Sequence, residues 1–234
     1  MARALSRRGF TSSLVAGAAV GAGAALVGTP RIAAAASRWE TITRENGIIV
    51  SIRPEPGREF PTFRGIGRVN ASKWDILAMV EDADRHQEWM HKCVGSKLID
   101  KVKAGVNIVY NRTDAPWPVK DRDIVLKTSV SVARGGKEIW ARFKQTTNGK
   151  MGPVDGVVRM PTLVGHYKFV AIDEERTMVE YQVNADPGGR IPDFLVKQTT
   201  KDLPLHTLAN MRKRMKKMAG HYDTAHLKQL IGAG

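Results

Sequence analysis

The chain has 234 residues, 42% hydrophobic and 26% charged, with a mean hydropathy of −0.28; this leaves room for one sizeable core and argues against a bundle of membrane-spanning helices. Its lone cysteine, Cys93, excludes an intramolecular disulfide, and His86 and His91 stand five apart, off the i, i+4 pairing of helical zinc ligands, so neither a metal nor another cofactor is expected. The formal charge is +14, and +10 remains beyond residue 36 because four of the 37 basic residues and none of the 23 acidic ones precede it; this favours an anionic partner and says nothing about fold.

Residues 1–36 read as an address. Arg7 and Arg8 precede Phe10 and an Ala/Gly-rich apolar run from Leu14 to Val27, and a small-residue stretch ends at Ala36. Paired arginines before a mildly hydrophobic run resemble a twin-arginine export signal, with Thr11 where leucine is usual. Cleavage is expected near Ala36, giving a periplasmic or secreted protein. An uncleaved membrane-anchoring segment is the alternative. The expected division is 1–36 signal peptide, 37–222 folded domain and 223–234 C-terminal tail.

Beyond the leader, residues 47–53 and 63–69 read as strands around a Pro/Gly-rich turn. Ser72 caps a helix running to about Val80. Further strands span 96–102, 106–113, 124–133, 138–146, 163–172 and 177–185. Alternation is clearest where Leu126, Thr128 and Val130 oppose Lys127 and Ser129, where Ile139, Ala141 and Phe143 oppose Trp140 and Arg142, and where Tyr181 and Val183 oppose Gln182. Period two gives each strand one buried face, so the sheet is antiparallel and needs a cover. That cover is a helix from Pro192 to about Ala219, with Leu208, Met211, Met215 and Met218 on one stripe, Arg212, Lys213, Arg214, Lys216 and Lys217 off it, and Pro204 inside it. The fold class is therefore α+β: a twisted antiparallel sheet closed by one long C-terminal helix.

In this setting residues from about 39 to 219 resemble a START (steroidogenic acute regulatory-related lipid transfer) domain. The resemblance rests on Trp39, Gly47-Ile48, Phe63-Arg64-Gly65, Asp84-Arg85 with Trp89, Tyr110, the stretch from Pro116-Trp117-Pro118 through Lys120-Asp121-Arg122-Asp123, and Gly189-Arg190-Ile191-Pro192. It implies a helix-grip fold with a hydrophobic cavity between sheet and terminal helix, binding a sterol, phospholipid or other lipid. Some members carry an acid–arginine pair in the cavity. The matching positions here are near Asn111 and Thr128, and neither is charged.

Strand parity and the helical stripe then nominate Leu126, Thr128, Val130, Ile139, Ala141, Phe143, Tyr181, Val183, Leu208, Met211 and Met215 as ligand contacts, with Tyr110, Asn111, Thr128 and Tyr181 as bonding partners for a ligand hydroxyl or headgroup. Packing as ordinary core is the competing reading for each apolar position. Trp117, held between prolines, reads as structural, and Asp121, Arg122 and Asp123 as an ion-pair turn cluster. The Gly135-Gly136 turn and the Gly188-Gly189 loop are the natural hinges of a lid. With Arg134, Lys137 and Arg190 they are expected to dock the cavity mouth on an anionic membrane. No catalytic set with motif context is present, although an enzyme of the polyketide cyclase or hydrolase type is the alternative on this architecture. A nucleic-acid partner is not expected, since no stacking motif accompanies the charge.

Overall fold

The computed structural model describes residues 38–230, so the leader with Arg7, Arg8 and the expected cleavage point lies outside the described residues. Among the described residues ten strands form one sheet: β1 (Glu40–Glu45), β2 (Ile48–Arg53), β3 (Thr62–Val69), β4 (Cys93–Lys103), β5 (Val106–Thr113), β6 (Arg122–Ala133), β7 (Glu138–Gln145), β8 (Val158–Arg159), β9 (Thr162–Ala171) and β10 (Thr177–Asp186). The order is β1-β2-β3-β10-β9-β7-β6-β5-β4, antiparallel throughout, with β8 added parallel to β6. A helix α1 (Lys73–Glu81) and a 3₁₀ turn (Ala83–Glu88) connect β3 to β4. Ser72 Oγ accepts from the Asp75 amide at 3.1 Å and so starts α1.

Two strands extend the sequence reading. β1, with the sequence ETITRE, has no buried residue and pairs only with β2, so it lacks the apolar alternation that marks an interior strand. β8 is two residues long. The long helix α2 (Asp193–Met218) begins after Pro192 and lies against β2, β3 and β10. Pro204 stands inside it and forfeits the bond to the Thr200 carbonyl. The expected tail also carries structure: Ala225–Leu230 is a short helix, α3, and Leu227 is buried in the main core. An apolar residue can be buried there because α3 packs against α1.

Register stacks the concave face in rows. One row runs Asn107, Thr128, Phe143, Gly165, Val183, Phe63 across β5, β6, β7, β9, β10 and β3. The next runs Val130, Ala141, Tyr167, Tyr181, Gly65, and a third runs Val132, Ile139, Phe169, Val179, Gly67. Two glycines on β3 set how closely α2 approaches. A Cβ at Gly65 would stand 3.0 Å from Leu208 Cδ1 and 3.0 Å from Pro204 Cβ, and one at Gly67 would stand 2.9 Å from an Arg212 guanidinium nitrogen. Without side chains at these positions the helix closes onto the sheet. Leu208, Met211 and Met215 are sealed at 0–1% exposure, and the Arg212 guanidinium donates to the carbonyls of Arg68 at 2.7 Å and Gly47 at 3.1 Å.

Candidate ligand cavity

The first half of α2 does not close in this way. Between Leu195, Val196, Thr199, Thr200 and Leu203 and the sheet lies a cavity of about 240 Å³. A single water needs only roughly 10–15 Å³ of such space, so the hollow is sized for a ligand. Its sheet wall begins at Leu163 and Ala185, crosses the Asn107–Phe63 row, and ends on Ala141, Tyr167 and Tyr181; nothing from the Ile139–Phe169 row reaches it. The other wall is the 3₁₀ turn and the segment leading into β4, with His86, Trp89 and Met90. The mouth lies where the β5–β6 loop (Ala115, Pro116, Val119) faces the β10–α2 loop (Pro187, Ile191).

Aromatic rings build the inner end. Tyr167 stacks on Tyr181 with ring centroids 4.5 Å apart and planes 12° apart, and its ring centre is 5.8 Å from Phe143 and 6.2 Å from Trp89. Phe143 lies over Gly165, where a Cβ would fall 2.5 Å from its ring, so only glycine admits that packing. Burial pushes the phenols of Tyr167 and Tyr181 up, and both stay protonated.

Polar groups in the walls divide into satisfied and unsatisfied ones. His86 Nε2 is 2.8 Å from the Val80 carbonyl and must donate to it, while Nδ1 is 3.2 Å from the Asn111 side-chain amide. Burial is the largest influence on the His86 pKa and lowers it, and the Asn111 side-chain oxygen is the atom that faces Nδ1. Glu81 accepts from Asn107 Nδ2 at 2.8 Å, and burial raises its pKa. The Arg122 guanidinium is spent on backbone carbonyls, Pro187 at 3.3 Å and Gly188 at 3.1 Å among them, which ties the β10–α2 loop to the start of β6. By contrast Trp89 Nε1, Tyr167 Oη and Thr128 Oγ1 are buried without a hydrogen-bond partner among the described residues.

A family model, the START domain, matches residues 29–220. The chain belongs to the START family. An uncharacterised protein of Pseudomonas aeruginosa is 31% identical to this START protein over 184 residues, 79% of this chain and 90% of that one. A solved STAR-related lipid transfer protein from Xanthomonas axonopodis is 31% identical, with a TM-score of 0.70, covering 76% of this chain and 99% of that one. The phosphatidylcholine transfer protein of Bos taurus is 25% identical over 190 residues, 78% of this chain and 86% of that one. The helix-grip architecture expected of a START domain is the one present, a large antiparallel sheet gripped by a long C-terminal helix.

Asn111, Leu126, Thr128, Ala141, Phe143, Tyr181 and Val183 stand in the walls of this START cavity. The other nominated contacts stand elsewhere. Tyr110 neighbours Asn111 on β5 and must point to the opposite face, where it packs with Ile108 and Val125. Val130 is half-buried against the main core, and Ile139 lies in the closed row. Leu208, Met211 and Met215 sit where α2 touches the sheet, one to three turns past the cavity. The stripe shows which face of the helix meets the sheet, but not how far away the sheet is.

The mouth also departs from expectation. Arg134, Gly135, Gly136 and Lys137 form the β6–β7 turn, at the end of β6 away from Arg122, and none lines the cavity. Arg134 instead pairs with Glu138 at 3.5 Å. Gly188, Gly189 and Arg190 do belong to the loop at the mouth, and both glycines have positive φ. Trp117, expected to be structural, is 92% exposed on the facing loop. Asp121 and Asp123 form ion pairs, each at 2.7 Å, but with Arg112 and Arg159 and not with Arg122. Sequence reasoning does not nominate Trp89, Tyr167 or the first half of α2. Tyr167 shares parity with Leu163 and Phe169 on β9, a usable signal. Trp89 comes directly after a 3₁₀ turn, where no periodicity assigns a face.

Proposed function

We propose that this START protein binds one lipid-like molecule in the cavity under the first half of α2 and exchanges it at anionic membrane surfaces. The observation that carries the reading is a ligand-sized, mainly apolar hollow in a domain whose other half is tightly packed. A ligand gains about 0.8 kcal/mol for each methylene it buries there, so no reaction is needed to explain the site. The names of the Xanthomonas and bovine relatives, both lipid transfer proteins, support the same class. Cys93 does not favour an enzymatic reading: burial raises its thiol pKa, the reverse of an activated nucleophile.

Exchange at a membrane is supported by the mouth. Trp117 on the β5–β6 loop and Phe194 in the first turn of α2 are 92% and 67% exposed, although both are large and apolar. Exposed Lys120 and Arg190 lie on the two loops at the mouth, and exposed Lys197 and Lys201 on the second and third turns of α2. Such cations near an anionic surface contribute about 1 kcal/mol each, and the rings suit the headgroup boundary. The arginine-paired leader supports a periplasmic or secreted site of action. Native mass spectrometry of the purified protein tests the binding reading. A discrete adduct of lipid mass is expected, and its absence under conditions that preserve non-covalent complexes contradicts it.

A further inference from the structure

The face of the sheet turned away from α2 carries a second hollow. It is a solvent-filled groove of about 740 Å³ that crosses β6, β7, β9 and β10. Its residues Lys127, Lys144, His166 and Asn184 alternate with the inward-facing Thr128, Phe143, Tyr167 and Val183. The β2–β3 loop forms one wall and is tied down by Asn184, whose Nδ2 donates to the Phe60 carbonyl at 3.0 Å. On the other side Thr146 begins the β7–β8 loop, which packs Met151 and Val154 over Ile108, Tyr110 and Val125. Arg142 and Phe143 of β7 border both this groove and the cavity under α2.

The lining is one-signed. Arg53, Arg58, Lys127, Arg142 and Lys144 line the groove against a single acid, Glu55. Glu55 is already engaged, accepting from Arg53 at 2.7 Å and from the Thr62 hydroxyl at 2.6 Å. Acids on neighbouring strand positions are engaged too, Glu138 with Lys168 at 3.3 Å and Glu180 with His166 at 2.9 Å. Arg58, Lys127, Arg142 and Lys144 therefore have no carboxylate partner among the described residues. Lys127 and Lys144 are direct cross-strand partners, and both are exposed. Like charges placed opposite each other destabilise a sheet, and an anion between them relieves that cost.

Register places a second cation at a distance. Lys144, Val164 and Asn184 follow one another across β7, β9 and β10. The Arg58 guanidinium donates to Asn184 Oδ1. It thus stands two strand spacings from the lysine pair, roughly 10 Å at about 4.8 Å per strand. Ser129 and Gln182 add hydrogen-bonding groups on the adjacent row. The groove is recessed between loops, and Trp117 and Phe194, the exposed rings of the cavity mouth, are not part of it. A recess of one sign that lacks such rings suits a solute, not a bilayer.

We propose that this groove binds a small soluble molecule bearing two phosphate groups, one held by Lys127, Lys144 and Arg142 and the other by Arg58. A phosphate monoester brings close to two charges and three acceptor oxygens, which matches three clustered cations better than a carboxylate does. The site rests on charge and register alone and is independent of the lipid-binding reading.

Isothermal titration calorimetry on the full chain at fixed salt tests it, with fructose 1,6-bisphosphate and fructose 6-phosphate as probes. The bisphosphate is expected to bind at least about tenfold more tightly, and Lys144→Glu to weaken it by at least about tenfold. Without ligand, Lys144→Glu should melt at the same temperature or higher, because it turns a repulsive cross-strand pair into an attractive one. Lys213→Glu makes the same charge change on the exposed side of α2 and should alter binding by no more than about twofold, since salt screens distant charges. No binding of the bisphosphate, equal binding of the two sugars, or equal weakening by Lys144→Glu and Lys213→Glu overturns the site. Sedimentation with vesicles containing phosphatidic acid should be the same for Lys144→Glu and Lys213→Glu. A loss confined to Lys144→Glu would make the groove a membrane contact and overturn the soluble ligand.

Discussion

Leu208, Met211 and Met215 on the second half of α2 are closed off from solvent and from any hollow, whereas Leu195, Val196 and Leu203 on the first half line a cavity of about 240 Å³. Both halves are covered by the same sheet and present apolar side chains to it. The difference lies opposite them. Gly65 and Gly67 let the second half descend to contact, and Arg212 fastens it to β3 and the β1–β2 turn. The first half passes over Phe63, Phe143, Val183 and Tyr167, whose side chains hold it away. It starts at Pro192 without a side-chain cap and exposes Phe194. One helix thus acts as core at one end and as roof at the other, and backbone spacing decides which.

The contrast can be broken most severely in the closed half. Met211→Ala should cost about 2–5 kcal/mol in urea unfolding, because the packed neighbours cannot collapse fully into the space. Lipid bound per folded molecule should not change. The reverse experiment fills the open half. Ala141→Leu together with Ala185→Leu should abolish lipid adducts in native mass spectra while changing stability by no more than about 2 kcal/mol, and in the stabilising direction if the void is empty. Loss of stability matching that of Met211→Ala would mean that the two halves are packed alike.

A smaller effect belongs to the loop at the mouth. Arg122→Met removes charged donors from the Pro187 and Gly188 carbonyls and should cost about 1.5–3 kcal/mol. It should also speed hydrogen exchange in residues 187–191 and accelerate lipid release. On the mouth's outer surface, Trp117→Ala with Phe194→Ala should leave stability within about 0.5 kcal/mol, as both rings are exposed, yet reduce sedimentation with anionic vesicles.

The smallest effect is pH-dependent and sharpens the account of the cavity wall. Burial holds the His86 pKa below its usual 6.5 in the folded protein. The unfolded chain therefore takes up the proton first, and stability falls as pH drops below about 6.5 toward the lower folded value. His91 shifts in the same direction, and Glu81, raised by burial, acts in the opposite one. The comparison is therefore between variants: His86→Gln should flatten the melting-temperature profile between about pH 6.5 and 5 relative to the parent chain.

Much of the scaffold can be read from residue order, because half-buried strands impose a period of two and a covering helix a period near four. β6, β7 and β10 show this, with alternation that assigns Leu126, Thr128, Ala141, Phe143, Tyr181 and Val183 to the inner face. β1 escapes such a reading since an exposed edge strand has no apolar face to betray it. Tyr110 and Asn111 carry similar polar handles, but adjacent strand residues cannot share a face. The methionine stripe points at the sheet and not at the cavity, because periodicity reports direction and not distance. Gly135-Gly136 has the chemistry of a hinge, but only the strand order reveals which end of the sheet opens. The unpartnered indole of Trp89 and hydroxyls of Thr128 and Tyr167 are illegible for a different reason: whether a polar atom finds a partner is decided by its surroundings in three dimensions.

Electron density for the protein purified with its natural occupant is the most direct test of a roof held above a hollow. Continuous density is expected between residues 195–203 of α2 and the Tyr167 ring, running out toward Pro116 and Pro187. A structure in which the first half of α2 rests on the sheet as closely as the second, with side chains filling the interior, contradicts the account.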